Sequence, residues 1–119
     1  MPARLVPASA AEVRRARAAV ADDTAGPAEW RLLTKHFLAL LAQRAPGRSV
    51  EVRVPPYAAA QVVPGVRHTR GTPPAVVELT AQTWLALATG ALTWADAEAA
   101  GQVAASGERA DLSAYLPLD

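Results

Sequence analysis

The sequence predicts a small α+β domain, and three features carry that reading. Residues 27–44 repeat apolar side chains at helical spacing. Residues 50–54 alternate valine with charged residues, the period of a half-buried strand. The strand-like stretches between 50 and 79 lie too close together for helical crossovers, which argues against an all-parallel sheet. At 119 residues there is room for one domain, with only a modest core to stabilise it.

Taken in order, Ser9-Ala10-Ala11-Glu12 has capping-box spacing and predicts a helix starting at Ser9. Its apolar stripe is thin (Val13, Ala16, Val20), so this helix and the Asp22–Pro27 loop can attach loosely. The division that follows is an N-terminal helix and loop, 1–23, and a main domain, 24–119. Trp30, Leu33, Phe37, Leu40 and Leu41 share one face of the next helix. Pro27 suits its first turn and Ala45-Pro46-Gly47 stops it. Truncating Phe37 or Leu40 is expected to cost about 2–5 kcal/mol if each is buried.

Val50, Val52 and Val54 predict a strand ended by Pro55-Pro56. Residues 57–63 predict a weaker one, because alanine has low β preference. Pro64-Gly65 signals a turn, residues 66–69 a short returning strand, and 75–79 another strand. Thr80 caps a helix that carries Trp84 and Leu87 and stops at Gly90. Thr93 caps a second helix, ended by Gly101. Residues 102–106 predict a last strand, Gly107 a turn, and 111–116 a helical turn halted by Pro117. The sum is four or five strands and three to five helices.

Composition narrows the function. Arginine supplies 11 of the 12 basic residues, and the net charge is +1. Only Arg14, Arg15 and Arg17 cluster, too few cations to displace phosphate counterions, so no nucleic-acid partner is expected. With no cysteine, disulfides and thiolate chemistry are excluded, which is compatible with a cytoplasmic location. Residues 1–20 scatter arginine among alanine and read as neither a secretion signal nor a membrane span.

Catalytic signatures are sparse. Only His36 and His68 are present, far apart and without a ligand motif, so no metal and no cofactor are expected. A histidine in the middle of a helix, like His36, is more often a packed or surface residue than a catalyst. Ser9, Ser49, Ser106 and Ser113 lack a nucleophile-elbow pattern. Asp22 and Asp23 sit in a loop, and no glycine-rich phosphate cradle is present. No catalytic residue is assigned and no enzymatic activity is expected. Arg53 and Glu78 are candidates for a structural ion pair across the sheet.

The last third of the chain reads Thr80-Ala-Gln-Thr-Trp84-Leu-Ala-Leu87-Ala-Thr-Gly90, then Leu92-Thr93, Gly101, Val103, Ser106-Gly107. This resembles the end of a sterol-carrier-protein domain: a strand, a capped helix, a glycine, a second helix, a glycine, a short strand and a third glycine. Arg48–Tyr57 and Arg67–Pro74 are similar to stretches of the short actinobacterial members of that family. The resemblance covers about residues 27–118. It implies a roughly five-stranded, mainly antiparallel sheet with helices packed on one face. It also implies a tunnel between them for a fatty acyl chain, acyl-CoA or another lipid.

On that reading Leu33, Phe37, Leu40, Leu41, Trp84, Leu87, Leu92, Val103, Leu112 and Leu116 line the tunnel, although the same periodicity describes a filled core. The loop residues Arg67, His68 and Arg70 are candidate head-group contacts, against the plainer reading of a solvated hairpin tip. The segment 111–119 is short beside the part that lines or gates the tunnel in longer members. The expected partner is a lipid or other apolar small molecule. The alternative is an accessory or protein-interaction domain that works with a separate enzyme and has no lipid pocket of its own. A homodimer or protein partner stays open.

Overall fold

The computed structural model describes residues 5–65, 75–107 and 110–119. Helix α1 spans Ala10–Ala21 and helix α2 Pro27–Arg44. Strands β1 (Val50–Val54), β2 (Ala58–Val62) and β3 (Ala75–Glu78) follow. Helices α3 (Ala81–Thr89) and α4 (Trp94–Ala99) come next, then strand β4 (Ala104–Ser106) and a 3-10 turn at Ser113–Tyr115.

Local chemistry explains these boundaries. The Ser9 hydroxyl accepts the Glu12 N–H at 3.2 Å, and the Glu12 carboxylate accepts the Ser9 N–H, closing the capping box. Thr80 accepts the Thr83 N–H at 3.1 Å at the start of α3, and Thr93 does the same for Asp96 in α4. Gly90, Gly101 and Gly107 have φ values of 85°, 71° and 90°, as their positions at element ends predict. Thr80→Ala should cost about 1 kcal/mol, read as a small shift in the midpoint of urea unfolding with no change of slope.

The described sheet has four strands in the order β2-β1-β3-β4, against roughly five expected. The short strand predicted at 66–69 lies outside the described residues. β1–β2 and β3–β4 pair antiparallel, while β1–β3 pair parallel, with Val50 opposite Ala75. The parallel pair needs no helical crossover because β2 lies between its strands in sequence and brings the chain back.

One face of the sheet is buried, and α2 packs against it at β2. Val50, Val52, Val54, Val62, Ala75 and Val77 are buried there, whereas Arg53, Gln61 and Glu78 point from the opposite face into solvent. Arg53 bonds Glu51 on its own strand, so the ion pair expected with Glu78 is replaced by a same-strand one. Helix α2 is the centre of the molecule. It packs against β2 and α3 through Leu33, Phe37 and Leu41, and α1 lies on another of its faces. Ala16, 3% exposed, is the buried residue of α1, and Arg17 pairs with Asp119 at 2.9 Å.

Candidate functional site

A cleft of about 1100 Å³ lies beside β2, the edge strand of the described sheet. One wall is the flank of α2, where Ala39, Ala42 and Gln43 fall at helical spacing. The turn Pro46-Gly47-Arg48 closes one end. Glu51, Ala59, Ala60 and Gln61 supply the strand side, and the segment Leu5-Val6-Pro7 supplies a further wall. The space exists because the facing side chains are small: alanine on the helix and alanine on the strand leave room that leucine would fill. A smaller cavity of about 340 Å³ lies on the open face of the sheet, between Tyr57, Arg53 and Glu78.

The residues predicted to line a tunnel meet one another instead of an open space. Leu33, Phe37, Leu41, Trp84, Leu87 and Leu112 are each 1% exposed or less and belong to one packed core. Val103 is buried at its margin, and Leu40, Leu92 and Leu116 are half-buried against it. None of the ten lines either cavity described above. The Trp84 indole N–H donates to the Thr34 carbonyl at 3.3 Å, as a structural core tryptophan does. The Trp94 indole nitrogen is buried and has no hydrogen-bond partner among the described residues. Arg67, His68 and Arg70 lie outside the described residues.

Residues that sequence reasoning passed over form the cleft. Their signal was available: three successive alanines in a strand, and small residues at 39 and 42 on the flank of an otherwise leucine-rich helix. Such residues report where packing is incomplete, and a search for large apolar side chains misses them.

His36 is placed next to this cleft, on α2. Its Nδ1 accepts the Ala8 N–H at 3.0 Å, so the neutral ring carries its proton on Nε2. The ring stands edge-on to Phe37, with centroids 4.9 Å apart. Partial burial lowers the His36 pKa from its ordinary value, the Asp119 carboxylate pulls it back up, and Arg17 lowers it again. Among the described residues no group of three histidine, aspartate or glutamate side chains is placed to hold a metal ion. None of the helices described is long and apolar enough to cross a membrane.

Comparison with known families adds the deciding observation. The family model for the bacterial SCP ortholog matches residues 27–118. The chain belongs to this sterol-carrier-protein-like family. No curated protein matches it. The family region begins at the first residue of α2 and takes in the helix and strand walls of the cleft. The segment Leu5–Pro7 and the whole of α1 lie ahead of it. Family membership agrees with an apolar-ligand role, and the α+β architecture agrees with the fold the resemblance implied.

Proposed function

We propose that this SCP ortholog is a non-catalytic, cytoplasmic binder of a small molecule with an apolar, acyl-like body, held in the cleft between α2 and β2. The observation that carries the reading is the pair of small-residue walls, Ala39 and Ala42 on α2 and Ala60 on β2, around about 1100 Å³. That volume is of the order of ligand pockets generally, roughly 300–1,000 Å³. Leu5, Val6 and Pro7 add apolar surface, and Gln43, Arg48, Glu51 and Gln61 give a polar margin for a head group. Among the described residues, the walls offer no histidine, serine or carboxylate pair from which to build an acid–base or nucleophilic centre.

The test is to fill the cleft without disturbing the core. Ala42 is half-buried on the flank of α2 that lines the cleft, so Ala42→Trp places an indole there at modest cost to folding. Binding of a fluorescent long-chain acyl probe should weaken by about tenfold or more, equivalent to about 1.4 kcal/mol. The melting temperature should stay within a few degrees. Unchanged affinity in Ala42→Trp, or no acyl species bound by the wild type in native mass spectrometry, overturns the reading.

One observation favours a second reading as a protein-interaction domain. The Leu79 N–H donates to the Arg53 carbonyl, so residues 51 and 53 turn their polar groups toward β3. The register then points the backbone groups of Ala59 and Gln61 away from β1, along the edge of the sheet as formed by the described residues. An extended peptide can add to such an edge. Ala59→Pro removes an outward N–H and no ladder bond, so it should abolish strand addition.

A further inference from the structure

The segment Leu5–Pro7 forms one wall of the cleft, and with Ala8 it lies outside the region that defines the family. Its attachment is specific. Ala8 donates its N–H to His36 Nδ1 on α2, a bond between residues 28 apart in sequence. Pro7 has no N–H of its own to donate. Val6, at 71% exposed, is the large apolar residue left most open among the described residues, and it lines the cleft. A short apolar strap is thus tied to the central helix through an acceptor that exists only while the imidazole is neutral.

We propose that His36 is a proton-operated latch: in its neutral form it holds the Leu5–Ala8 strap against the cleft, and on protonation it releases the strap and with it the ligand. Protonation turns Nδ1 from an acceptor into a donor, which leaves two donors facing each other at Ala8. The charged groups facing the ring among the described residues are Asp119, from the C-terminal segment, and Arg17, from α1, themselves paired at 2.9 Å. The Asp119 carboxylate favours the imidazolium through its charge. Arg17 opposes the charge, as does the partial burial of the ring.

The sign follows from linkage. A histidine whose value is lowered in the folded state stabilises the latched form fully above its ordinary value of 6.5. That stabilisation is lost as the pH falls through the lowered folded value. The strap is therefore closed at neutral pH and opens in mildly acid solution.

The inference rests on the cleft being the ligand site, but its first readout needs no ligand. Amide exchange by NMR should show Ala8 protected at neutral pH. Its protection factor should fall by roughly tenfold or more as the His36 imidazole titrates, with the amides of β1 and α3 unchanged as internal controls. His36→Asn supplies an acceptor oxygen near the place of Nδ1 that does not titrate, so it should keep Ala8 protected at both pH values. His36→Phe should leave Ala8 unprotected at both.

The second readout is dissociation of an uncharged, fluorescently labelled long-chain alcohol, whose head group does not itself titrate. It should leave the wild type about tenfold faster below the His36 transition, while its rate from His36→Asn stays constant. Ala8 protection that ignores the His36 titration, or that falls equally in His36→Asn, overturns the latch. A probe that binds and leaves at a rate independent of pH, while Ala8 follows His36, overturns the release of ligand. If the probe binds at no pH while Ala8 still follows His36, the latch is supported and the cleft reading alone fails.

Discussion

Phe37→Ala is expected to destabilise the protein by about 3–5 kcal/mol, close to the largest loss any single side-chain truncation here should cause. Phe37 is 1% exposed and sits on the face of α2 that packs toward the sheet, among Leu33, Leu41 and Trp84. Removing the ring deletes apolar burial and leaves a cavity that neighbours on a rigid helix and a hydrogen-bonded sheet cannot close. For a domain of 119 residues this corresponds to roughly 10–20 °C in melting temperature. Acyl-probe affinity, measured well below the melting point, should be unchanged, because Phe37 does not line the cleft. The opposite pattern, a small stability loss with altered binding, would mean that the interior is a lumen. Leu40→Ala gives the contrast. Leu40 is half-buried, so its truncation should cost about 1–2 kcal/mol, less than full burial would imply.

That contrast shows what the sequence makes legible. Helical spacing at Trp30, Leu33, Phe37 and Leu41 identifies which face of α2 is covered, since the period follows from helix geometry. Ser9, Thr80 and Thr93 locate helix starts because a hydroxyl at a cap has one local job. The alternation of Val50, Val52 and Val54 places the inner face of the sheet. Periodicity does not say whether two greasy faces meet or stand apart. That depends on the distance between elements, which loops and strand pairing determine.

The cleft escapes for the same reason. It is made by what is small, and Ala39, Ala42, Ala59 and Ala60 carry no periodic signal among the many alanines of this chain. The parallel pairing of β1 with β3 is equally hidden. Strand neighbours that are not consecutive in sequence are chosen by tertiary packing, not by any local pattern. His36 was readable as a packed helix residue, but its bond to Ala8 spans the whole of α1 and leaves no trace in local sequence.

Gly47→Ala should have an effect comparable with that of Phe37→Ala through a different cause. The turn after α2 wraps around the end of β2. The Val63 N–H donates to the Ala45 carbonyl at 2.6 Å, and both the N–H and the hydroxyl of Ser49 donate to the Val63 carbonyl. Val63 is held at φ 72°, a conformation that β-branched residues rarely adopt. A Cβ added at Gly47 would lie 2.1 Å from the Val63 carbonyl oxygen and 2.6 Å from the Pro64 nitrogen. Both are backbone atoms, so no rotamer change relieves the clash, and either the turn or the end of β2 has to move.

Gly101→Ala separates this clash from conformational preference. Gly101 has φ 71°, yet an added Cβ meets nothing within 4 Å, so its cost should be only about 1 kcal/mol. Gly47→Ala should cost about 3 kcal/mol or more, adding displaced backbone hydrogen bonds to local strain. Because Gly47 closes one end of the cleft, the same variant should also weaken the acyl probe, whereas Gly101→Ala should leave binding untouched. Equal stability losses in the two variants, by chemical denaturation, would show that the approach of the turn to Val63 is looser than described here. The cleft would then lack the fixed end wall on which a defined ligand pose depends.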